Sequence, residues 1–510
     1  MKATGHNQGR ARLRGRWGMA LMSGLLCMGL WGTAIAQQTA EEEASGGSDH
    51  DRGARAEVSN HAEMEKALEP ILSSQALRGV TVGLHVEDVR SGEVLYSYNA
   101  DRLMNPASNV KMMTAAVILE KLGPSHTFRT ELSTGEFSEG RVENLYVRGE
   151  GEAFLLFDDV LSWAGQLRLK GVEEIEGDLV IDDGIFAGEY LPPGFDMRDV
   201  GAAYRSPIGA VSVNFNAVTA IVEPADEIGS APKVRLHPPN THVQVVNRAR
   251  TVGGRLGRVH VTAEVDDKGG TTLVVGGTIG IQADPVSQRK RIDDPPAFAG
   301  SVIAEALSLV GIEFEGVIRR GEAPESPKVL LTHRSRPMMD VVSAMNKWSN
   351  NFMAEQLWRG LGVMEEEPST WEASRMEAKQ VLESKGWANG SYRWFNGSGL
   401  YDGNEVSARQ FVELLKTMYD HRYGPEFMSS LAIAGVDGTM AHRLGDDVTK
   451  GNLRAKTGTL RDVAALSGYV RTKSGRLVAF SILFNDTPRR AWNYRNVQDD
   501  LARAIAEFEG

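Results

Sequence analysis

Residues 105–119 read NPASNVKMMTAAVIL and place Ser108 three residues before Lys111, at the start of a segment rich in Met and Ala. The segment predicts a helix from about Ser108 to Gly123-Pro124, because glycine suits a C-terminal cap and proline cannot continue the helix. At this spacing the two side chains share one helix face, so Lys111 can reach Ser108. The pair is either a nucleophile with its base, or a serine N-cap followed by a surface lysine.

If the pair is a nucleophile with its base, the lysine must have a lowered pKa. A serine hydroxyl is a weak nucleophile at neutral pH, so a neighbouring base must take its proton. Lysine can act as that base only if its pKa falls from about 10.4, through burial or through a nearby positive charge. Backbone N–H groups at a helix start could also stabilise a developing oxyanion. The pair alone is common, so the rest of the chain must decide.

Two later stretches of the sequence carry residues that could act together with Ser108 and Lys111. NKWSNNFMAEQ, residues 346–356, places Ser349-Asn350-Asn351 between two predicted helices, where a hydroxyl and an amide could line a cleft. RAKTGTLRD, residues 454–462, offers a cation, hydroxyls and a glycine that admits a ligand close to the backbone. Alone, the first is more often a helix cap and the second an exposed turn. In this order, Ser-x-x-Lys, Ser-x-Asn and Lys-Thr-Gly form the signature of penicillin-binding proteins and serine β-lactamases.

The chain resembles the class C low-molecular-weight penicillin-binding proteins, the D-alanyl-D-alanine carboxypeptidase/endopeptidase family. The likeness covers roughly residues 60–505, and the separation of 241 positions from Ser108 to Ser349 fits that family's inserted domains. Further similar stretches are VRGEGEAFLL, IEGDLVIDDGIFAGEYLPPGF, YRSPIGAVSVNFNAV, FNGSGLYDGNEVS and AGVDGTMAHRL. The resemblance implies an α/β fold: a penicillin-binding-protein/β-lactamase-like transpeptidase domain, with an antiparallel sheet and helices, interrupted by inserted β-rich domains.

The resemblance also implies catalytic roles. Ser108 would be acylated, Lys111 would be its base, and Ser349 would relay a proton to the leaving group. We expect a second cation, Lys456, to disfavour protonation of Lys111 while itself staying charged. The backbone N–H groups of Ser108 and Thr459 would form the oxyanion hole.

The substrate-binding residues implied by the resemblance are Asn351 for the substrate amide, Lys456 and Thr457 for the terminal carboxylate, and Gly458 and Thr459 on the same strand. Asp182, in the inserted region, would approach a side-chain amine of the substrate; it could equally be a strand-end turn residue. Family members often have Asp where this chain has Asn350, which raises a question about local packing rather than catalysis.

The N-terminus predicts export. Lys2 and four arginines precede the apolar run from Gly18 to Trp31 and the small-residue site Ala34-Ile35-Ala36, the pattern of a signal peptide over residues 1–36. The run is shorter than the roughly 20 residues of a transmembrane helix, so we expect cleavage and no stable membrane span. Residues 37–56 have few large apolar side chains and predict a flexible leader.

Secondary-structure signals predict the remaining organisation. A helix and a hairpin near the front, with strands and a helix at the back, indicate one sheet formed from both ends of the chain. We therefore assign residues 57–128 and 325–510 to the catalytic domain and residues 129–324 to inserted β-rich domains. Within the insert, Arg289-Lys290-Arg291 is interpreted as a solvated loop that could favour anionic wall polymers.

Net charge, cysteine content and absent motifs argue against several classes of function. The formal net charge is −11, and losing five positive charges with residues 1–36 would make it −16, so there is no electrostatic basis for nucleic acid binding. Cys27, the single cysteine, lies in the apolar run, so the exported protein would have no thiol and no disulfide. The sequence has no Gly-x-Ser-x-Gly or His-Glu-x-x-His motif, which argues against an α/β-hydrolase or a zinc peptidase.

The resemblance implies a periplasmic serine enzyme that cleaves D-alanyl-D-alanine ends, or D-alanyl crosslinks, of peptidoglycan stem peptides through an acyl-enzyme. β-Lactam antibiotics would acylate the same serine, and no metal or organic cofactor would be needed. A serine β-lactamase is one alternative, against which the large insert argues. A non-catalytic wall-binding protein is another, against which the intact motifs argue. The balance of carboxypeptidase and endopeptidase activity, the stem-peptide composition and the oligomeric state stay open.

Overall fold

The computed structural model describes residues 61–195, 201–266, 269–363, 367–387 and 389–510, beginning with a helix and a hairpin. Their bounds are α1 Ala62–Leu72, β1 Thr81–Asp88 and β2 Val94–Tyr98, followed by α2 Lys111–Leu122. Helix α2 stops at Gly123, whose φ of 79° suits glycine. The predicted helices and hairpin are confirmed, although Ser108 lies in a 3-10 turn, Ala107–Val110, just before α2.

The region after α2 is β-rich, as predicted. Its strands are β3 Arg129–Thr134, β4 Phe137–Ser138, β5 Arg141–Val142, β6 Leu145–Gly149, β7 Glu174–Ile175, β8 Leu179–Asp182, β9 Ala217–Glu223, β10 Lys233–His237, β11 Val243–Asn247, β12 Arg250–Val252, β13 Arg258–Val265, β14 Thr271–Gly280, β15 Val286–Arg291, β16 Glu313–Phe314, β17 Ile318–Arg320 and β18 Lys328–Arg334. They form sheets β17-β8-β6-β3-β18, β16-β7-β5-β4 and β10-β9-β15, and a fourth in which β11, β12 and β13 pair with β14. Two helices, α3 Phe157–Leu169 and α4 Pro295–Leu309, pack together over a shared apolar core.

Strand β18 carries the chain back toward the catalytic part. The sequence assigns residues from 325 onward to the catalytic domain, but β18 pairs antiparallel with β3, with Lys328 opposite Thr134 and Arg334 opposite Arg129. Strand β18, which lies after residue 324, thus pairs with a strand of the predicted insert. The predicted domain limits stay a prediction.

The basic run Arg289-Lys290-Arg291 is not a solvated loop. It forms the end of β15, and Lys290 and Arg291 are buried. Arg291 pairs with Asp293 at 2.8 Å, and the Arg289 guanidinium lies 4.9 Å from the centre of the Phe215 ring. The prediction was wrong because β9, about 70 residues earlier, pairs with this run and Phe215 covers Arg289, and the local sequence gives no sign of these contacts.

The chain after β18 returns to the central sheet through helices. The helices are α5 Met338–Trp348, α6 Asn351–Gly360, α7 Trp371–Ser384, α8 Ala408–Asp420 and α9 Gly424–Ser430. The final elements are β19 Ala432–Ile433, β20 Arg454–Thr459, β21 Ala464–Arg471, β22 Leu477–Asn485 and α10 Arg495–Ala506.

The central sheet joins both ends of the chain. Its strand order is β19-β20-β21-β22-β1-β2, and β1 pairs antiparallel with β22 from Thr81 opposite Asn485 to Asp88 opposite Val478. Alternate side chains face opposite sides of the sheet. One face, with Leu466 and Phe480, packs against α1 and α10. The other, with Ala465 and Ala479, packs against the cluster formed by α2 and α5 to α9. The predicted α/β fold with inserted sheets is confirmed.

Some predictions concern residues that the structure does not describe. The signal peptide at residues 1–36 and the leader at residues 37–56 both lie outside the described ranges. In the described part of the chain, none of the helices has the length and apolar character needed to cross a bilayer.

Candidate active site

The first motif spans a 3-10 turn and the start of α2. Ser108 lies in the 3-10 turn and Lys111 is the first residue of α2. In a 3-10 turn, side chains three residues apart eclipse each other. The Lys111 Nζ atom lies 3.0 Å from Ser108 Oγ, so the amine and hydroxyl are hydrogen-bonded. The sequence therefore placed the pair correctly, although through a tighter turn than an α-helix.

The second motif lies in the turn between α5 and α6. Ser349 ends α5 with φ 57° and ψ 37°, a left-handed conformation that reverses the chain. Asn350 caps α6, because its Oδ1 atom accepts the Met353 N–H at 3.0 Å. Aspartate can make the same cap, which gives a physical reason why Asn350 can replace the family's common residue without disturbing local packing.

Asn351 faces the first motif from α6. Its Oδ1 atom accepts a hydrogen bond from Lys111 Nζ at 2.7 Å. Its Nδ2 atom donates to the backbone carbonyl of Tyr204 at 3.1 Å, so the inserted region also reaches the site. Asn351 is thus fixed between the candidate base and the insert.

The third motif occupies strand β20. The Lys456 Nζ atom donates to Ser349 Oγ at 2.8 Å and to the Thr457 carbonyl at 2.8 Å. A Cβ atom on Gly458 would lie 2.8 Å from the Pro106 carbonyl oxygen and 3.1 Å from Ala107 Cβ. Glycine therefore lets β20 pack against the turn that carries the nucleophile, and Thr459 follows at the exposed end of the strand.

Burial controls the electrostatics of the two lysines. It lowers the pKa of Lys111 to about 7, and the negative charge of Glu355 opposes this shift. Burial, and then the positive charge of Lys111, lowers the pKa of Lys456 well below its usual range. The expectation that a second cation would act mainly on Lys111, with Lys456 staying charged, is therefore not supported in this state of the site. Lys111 has a pKa at which an amine can accept a proton near neutral pH.

Residues 64–508 match the D-Ala-D-Ala carboxypeptidase 3 (S13) family. The chain belongs to this family. It is 34% identical over 465 residues to the D-alanyl-D-alanine carboxypeptidase of Actinomadura sp. (strain R39), covering 88% of this chain and 85% of that protein. The crystal structure of penicillin binding protein 4 from Haemophilus influenzae superposes with a TM-score of 0.73 at 24% identity, over 88% of this chain and 99% of that one. The same protein complexed with a β-lactam superposes with a TM-score of 0.69, at 24% identity and the same coverage of both chains.

Two residues of this S13-family site were missed by sequence analysis. The Ser398 carbonyl accepts a hydrogen bond from Lys111 Nζ at 2.6 Å. The buried carboxylate of Glu355 accepts the backbone N–H groups of Ser398 at 2.8 Å and Gly397 at 3.3 Å, and so positions that carbonyl. Glu355 lies four residues after Asn351 on α6, so the two share a helix face. That spacing, and the stretch FNGSGLYDGNEVS that contains Ser398, were the available signals.

Thr439 is a third residue without a predicted role. The Thr457 hydroxyl donates to Thr439 Oγ1 at 2.8 Å, which orients the Thr457 side chain. Gly438, just before it, approaches the end of α5 so closely that a Cβ atom would lie 2.4 Å from the Lys347 carbonyl oxygen. The stretch AGVDGTMAHRL thus connects the second and third motifs.

Asp182 is not in hydrogen-bond contact with the residues of the three motifs. It ends β8 with its side chain largely buried. Its two oxygens accept the backbone N–H groups of Gly184 at 3.2 Å and Ala323 at 3.1 Å, and Arg148 lies 3.7 Å away. These contacts hold the loop after β8 in place. The role of Asp182 toward a substrate amine stays a prediction.

Proposed function

We propose that this protein is a periplasmic serine-type D-alanyl-D-alanine carboxypeptidase that forms an acyl-enzyme on Ser108 and is inhibited by β-lactams. The observation that carries the proposal is the Lys111 amine, buried, with its pKa lowered to about 7, 3.0 Å from Ser108 Oγ. A base of this pKa beside a hydroxyl meets the main requirement for a serine nucleophile. Export to the periplasm rests on the signal-peptide pattern of residues 1–36.

Acylation begins when the neutral Lys111 amine takes the Ser108 proton as Oγ attacks the carbonyl of the penultimate D-alanine. The tetrahedral oxyanion is stabilised by the backbone N–H groups of Ser108 and Thr459. The C–N bond then breaks, and the proton held by Lys111 passes through the Ser349 hydroxyl to the departing amine, so that free D-alanine leaves and Lys111 is neutral again. The contact of Ser349 Oγ with Lys456 Nζ, at 2.8 Å, supports this relay.

Deacylation completes the cycle. A water molecule attacks the ester carbon, the neutral Lys111 amine receives its proton, and Lys111 returns that proton to Ser108 Oγ as the ester C–O bond breaks. The products are the shortened stem peptide and the regenerated hydroxyl, so atoms and charges balance without a cofactor. An amide donor at a crosslink would follow the same steps with a different leaving amine, which makes endopeptidase activity chemically accessible to the same site.

Recognition of the substrate's free carboxylate falls to Lys456 and Thr457. An anion that arrives beside Lys456 favours its protonated form, which opposes the lowering of pKa caused by burial. The Thr457 hydroxyl, oriented by Thr439, adds a hydrogen bond. Substrate binding thereby separates the roles of the lysines: Lys456 becomes the cation and Lys111 stays neutral as the base.

The test is labelling with a fluorescent penicillin, followed by mass spectrometry and a muropeptide assay. The protein should carry one adduct on Ser108, and Ser108→Ala should stay unlabelled. Ser391→Ala, a change at an exposed serine, is the matched control and should label normally. Release of D-alanine from uncrosslinked muropeptides measures carboxypeptidase activity, and cleavage of crosslinked dimers measures endopeptidase activity. Normal labelling of Ser108→Ala would disprove the nucleophile. Rapid loss of the adduct as penicilloate would identify a β-lactamase, and a stable adduct without peptide turnover would identify a binding protein.

A further inference from the structure

A cluster of exposed arginines lies beside the end of β20. The segment after β22 packs against the turn between β20 and β21, because Thr487 N–H donates to the Asp462 carbonyl at 3.2 Å and Ala491 N–H to the Arg461 carbonyl at 3.0 Å. These backbone bonds place the segment that carries Arg489 and Arg490 beside Arg461. We call Arg461, Arg489, Arg490 and Trp492 the arginine rim.

The arginine rim is exposed and uncompensated. All four side chains are exposed, and Trp492 is 56% exposed. Within the described ranges, no ion pair is formed by these three arginines, although Asp462 and Asp486 are close in sequence. Asp486 instead accepts the Thr81 hydroxyl at 2.7 Å.

Other arginines near the C-terminus form ion pairs. Arg443 pairs with Asp499 at 2.7 Å, and Arg503 pairs with Asp446 at 3.0 Å. In a chain of net charge −11, acidic partners are abundant. Three cations without an ion-pair partner among the described residues, together with an exposed indole, therefore form a positive surface that favours an anionic ligand.

The position of the rim relative to the cleft suggests which part of a ligand it meets. In the proposed mechanism the terminal carboxylate lies at Lys456 and Thr457, and the scissile carbonyl lies at the Thr459 N–H. The substrate chain therefore runs from Thr457 past Thr459, and its N-terminal residues continue toward Arg461. Arg461 follows Thr457 by four residues, so their Cα atoms are at most about 13 Å apart at roughly 3.3 Å per residue.

Hydrogen bonds near the arginine rim also connect this part of the chain to the segment that carries the nucleophile. Asn485, the last residue of β22, donates through Nδ2 to the Asn105 carbonyl at 3.0 Å and accepts the Asn105 N–H at 2.8 Å. Asn105 precedes Ser108 by three residues. Asn485, four residues before Arg489, is thus held next to the segment that carries Ser108.

We propose that the arginine rim binds a free carboxylate of the stem peptide, located N-terminal to the scissile D-alanyl bond, and so selects acidic stems. This inference rests on the proposed function. Guanidinium groups match carboxylates through paired N–H donors, and the indole of Trp492 offers an apolar face for the adjoining peptide. The rim would thus recognise the substrate at a point that the three motifs do not touch.

The experiment compares two N-acetylated peptides, Glu-Lys-D-Ala-D-Ala and Gln-Lys-D-Ala-D-Ala, which differ by one carboxylate. The measured quantity is the ratio of kcat/KM for the Glu peptide to that for the Gln peptide. The double change Arg489→Ala with Arg490→Ala should lower this ratio about three- to tenfold, the range expected for loss of two exposed charge contacts. In the parent protein, added salt should lower the ratio as well.

Two controls keep the result specific. Arg255→Ala with Arg258→Ala removes two exposed arginines of the insert and should leave the ratio unchanged. Calorimetric binding of both peptides to Ser108→Ala makes the same comparison without turnover, so failure of the proposed reaction would not hide the role of the rim. An unchanged ratio in the rim variant, or equal loss for both peptides, would overturn the proposal. Absence of turnover with a preserved binding preference would instead contradict the proposed function.

Discussion

Lys111→Met tests the electrostatic basis of the site through protein stability. In the folded protein the pKa of Lys111 is lowered to about 7, whereas an unfolded lysine has a pKa near 10.4. Between these values the unfolded chain binds a proton that the folded chain does not, so stability rises with pH. From pH 7 to pH 9 this contribution amounts to about 2 kcal/mol, since the gain approaches 1.4 kcal/mol per pH unit once pH exceeds the folded pKa.

The Met variant lacks this contribution because it has no amine to titrate. Urea unfolding of the parent and of Lys111→Met, followed by tryptophan fluorescence at pH 7 and pH 9, should therefore show the parent gaining about 2 kcal/mol more than the variant. Lys170→Met, at an exposed lysine, should follow the parent. The variant should also fail to be acylated by penicillin. If the parent and Lys111→Met respond identically to pH, Lys111 keeps an ordinary pKa and cannot be the base.

Four further changes test the other assignments. Lys111→Arg should abolish penicillin acylation because arginine stays protonated. Lys456→Arg should reduce acylation less, because arginine can still pair with a carboxylate. Equal acylation rates for the two variants would contradict the roles assigned to the two lysines. Glu355→Gln removes a charge that raises the pKa of Lys111, so the acid limb of the acylation pH profile should move to lower pH, and an upward shift would contradict this coupling. Asp182→Asn should slow amine-bearing peptides about tenfold while leaving penicillin acylation within about twofold, as expected for a charge-assisted contact; equal slowing of both would show that Asp182 acts only by holding its loop.

The sequence predicted individual strands and helices of the central domain because their signals are local. The hairpin of β1 and β2 follows from alternating apolar residues around a glycine turn, and α2 ends where Gly123 and Pro124 end it. The pairing of β18 with β3 was not predicted, since it joins segments about 200 residues apart. Strand pairing over such a distance leaves no local pattern.

The sequence by itself determined which residue types could perform the chemistry: a serine with a lysine one turn away, a second serine with an amide, and a lysine on a strand with a glycine after Thr457. It could not determine the pKa values of the lysines. Only tertiary packing buries the Lys111 amine among Ser108, Asn351 and the Ser398 carbonyl. It also places the Glu355 carboxylate behind that carbonyl. The physical reason is that side-chain spacing is a property of the chain, whereas desolvation and long-range charge depend on which distant segments the fold brings together.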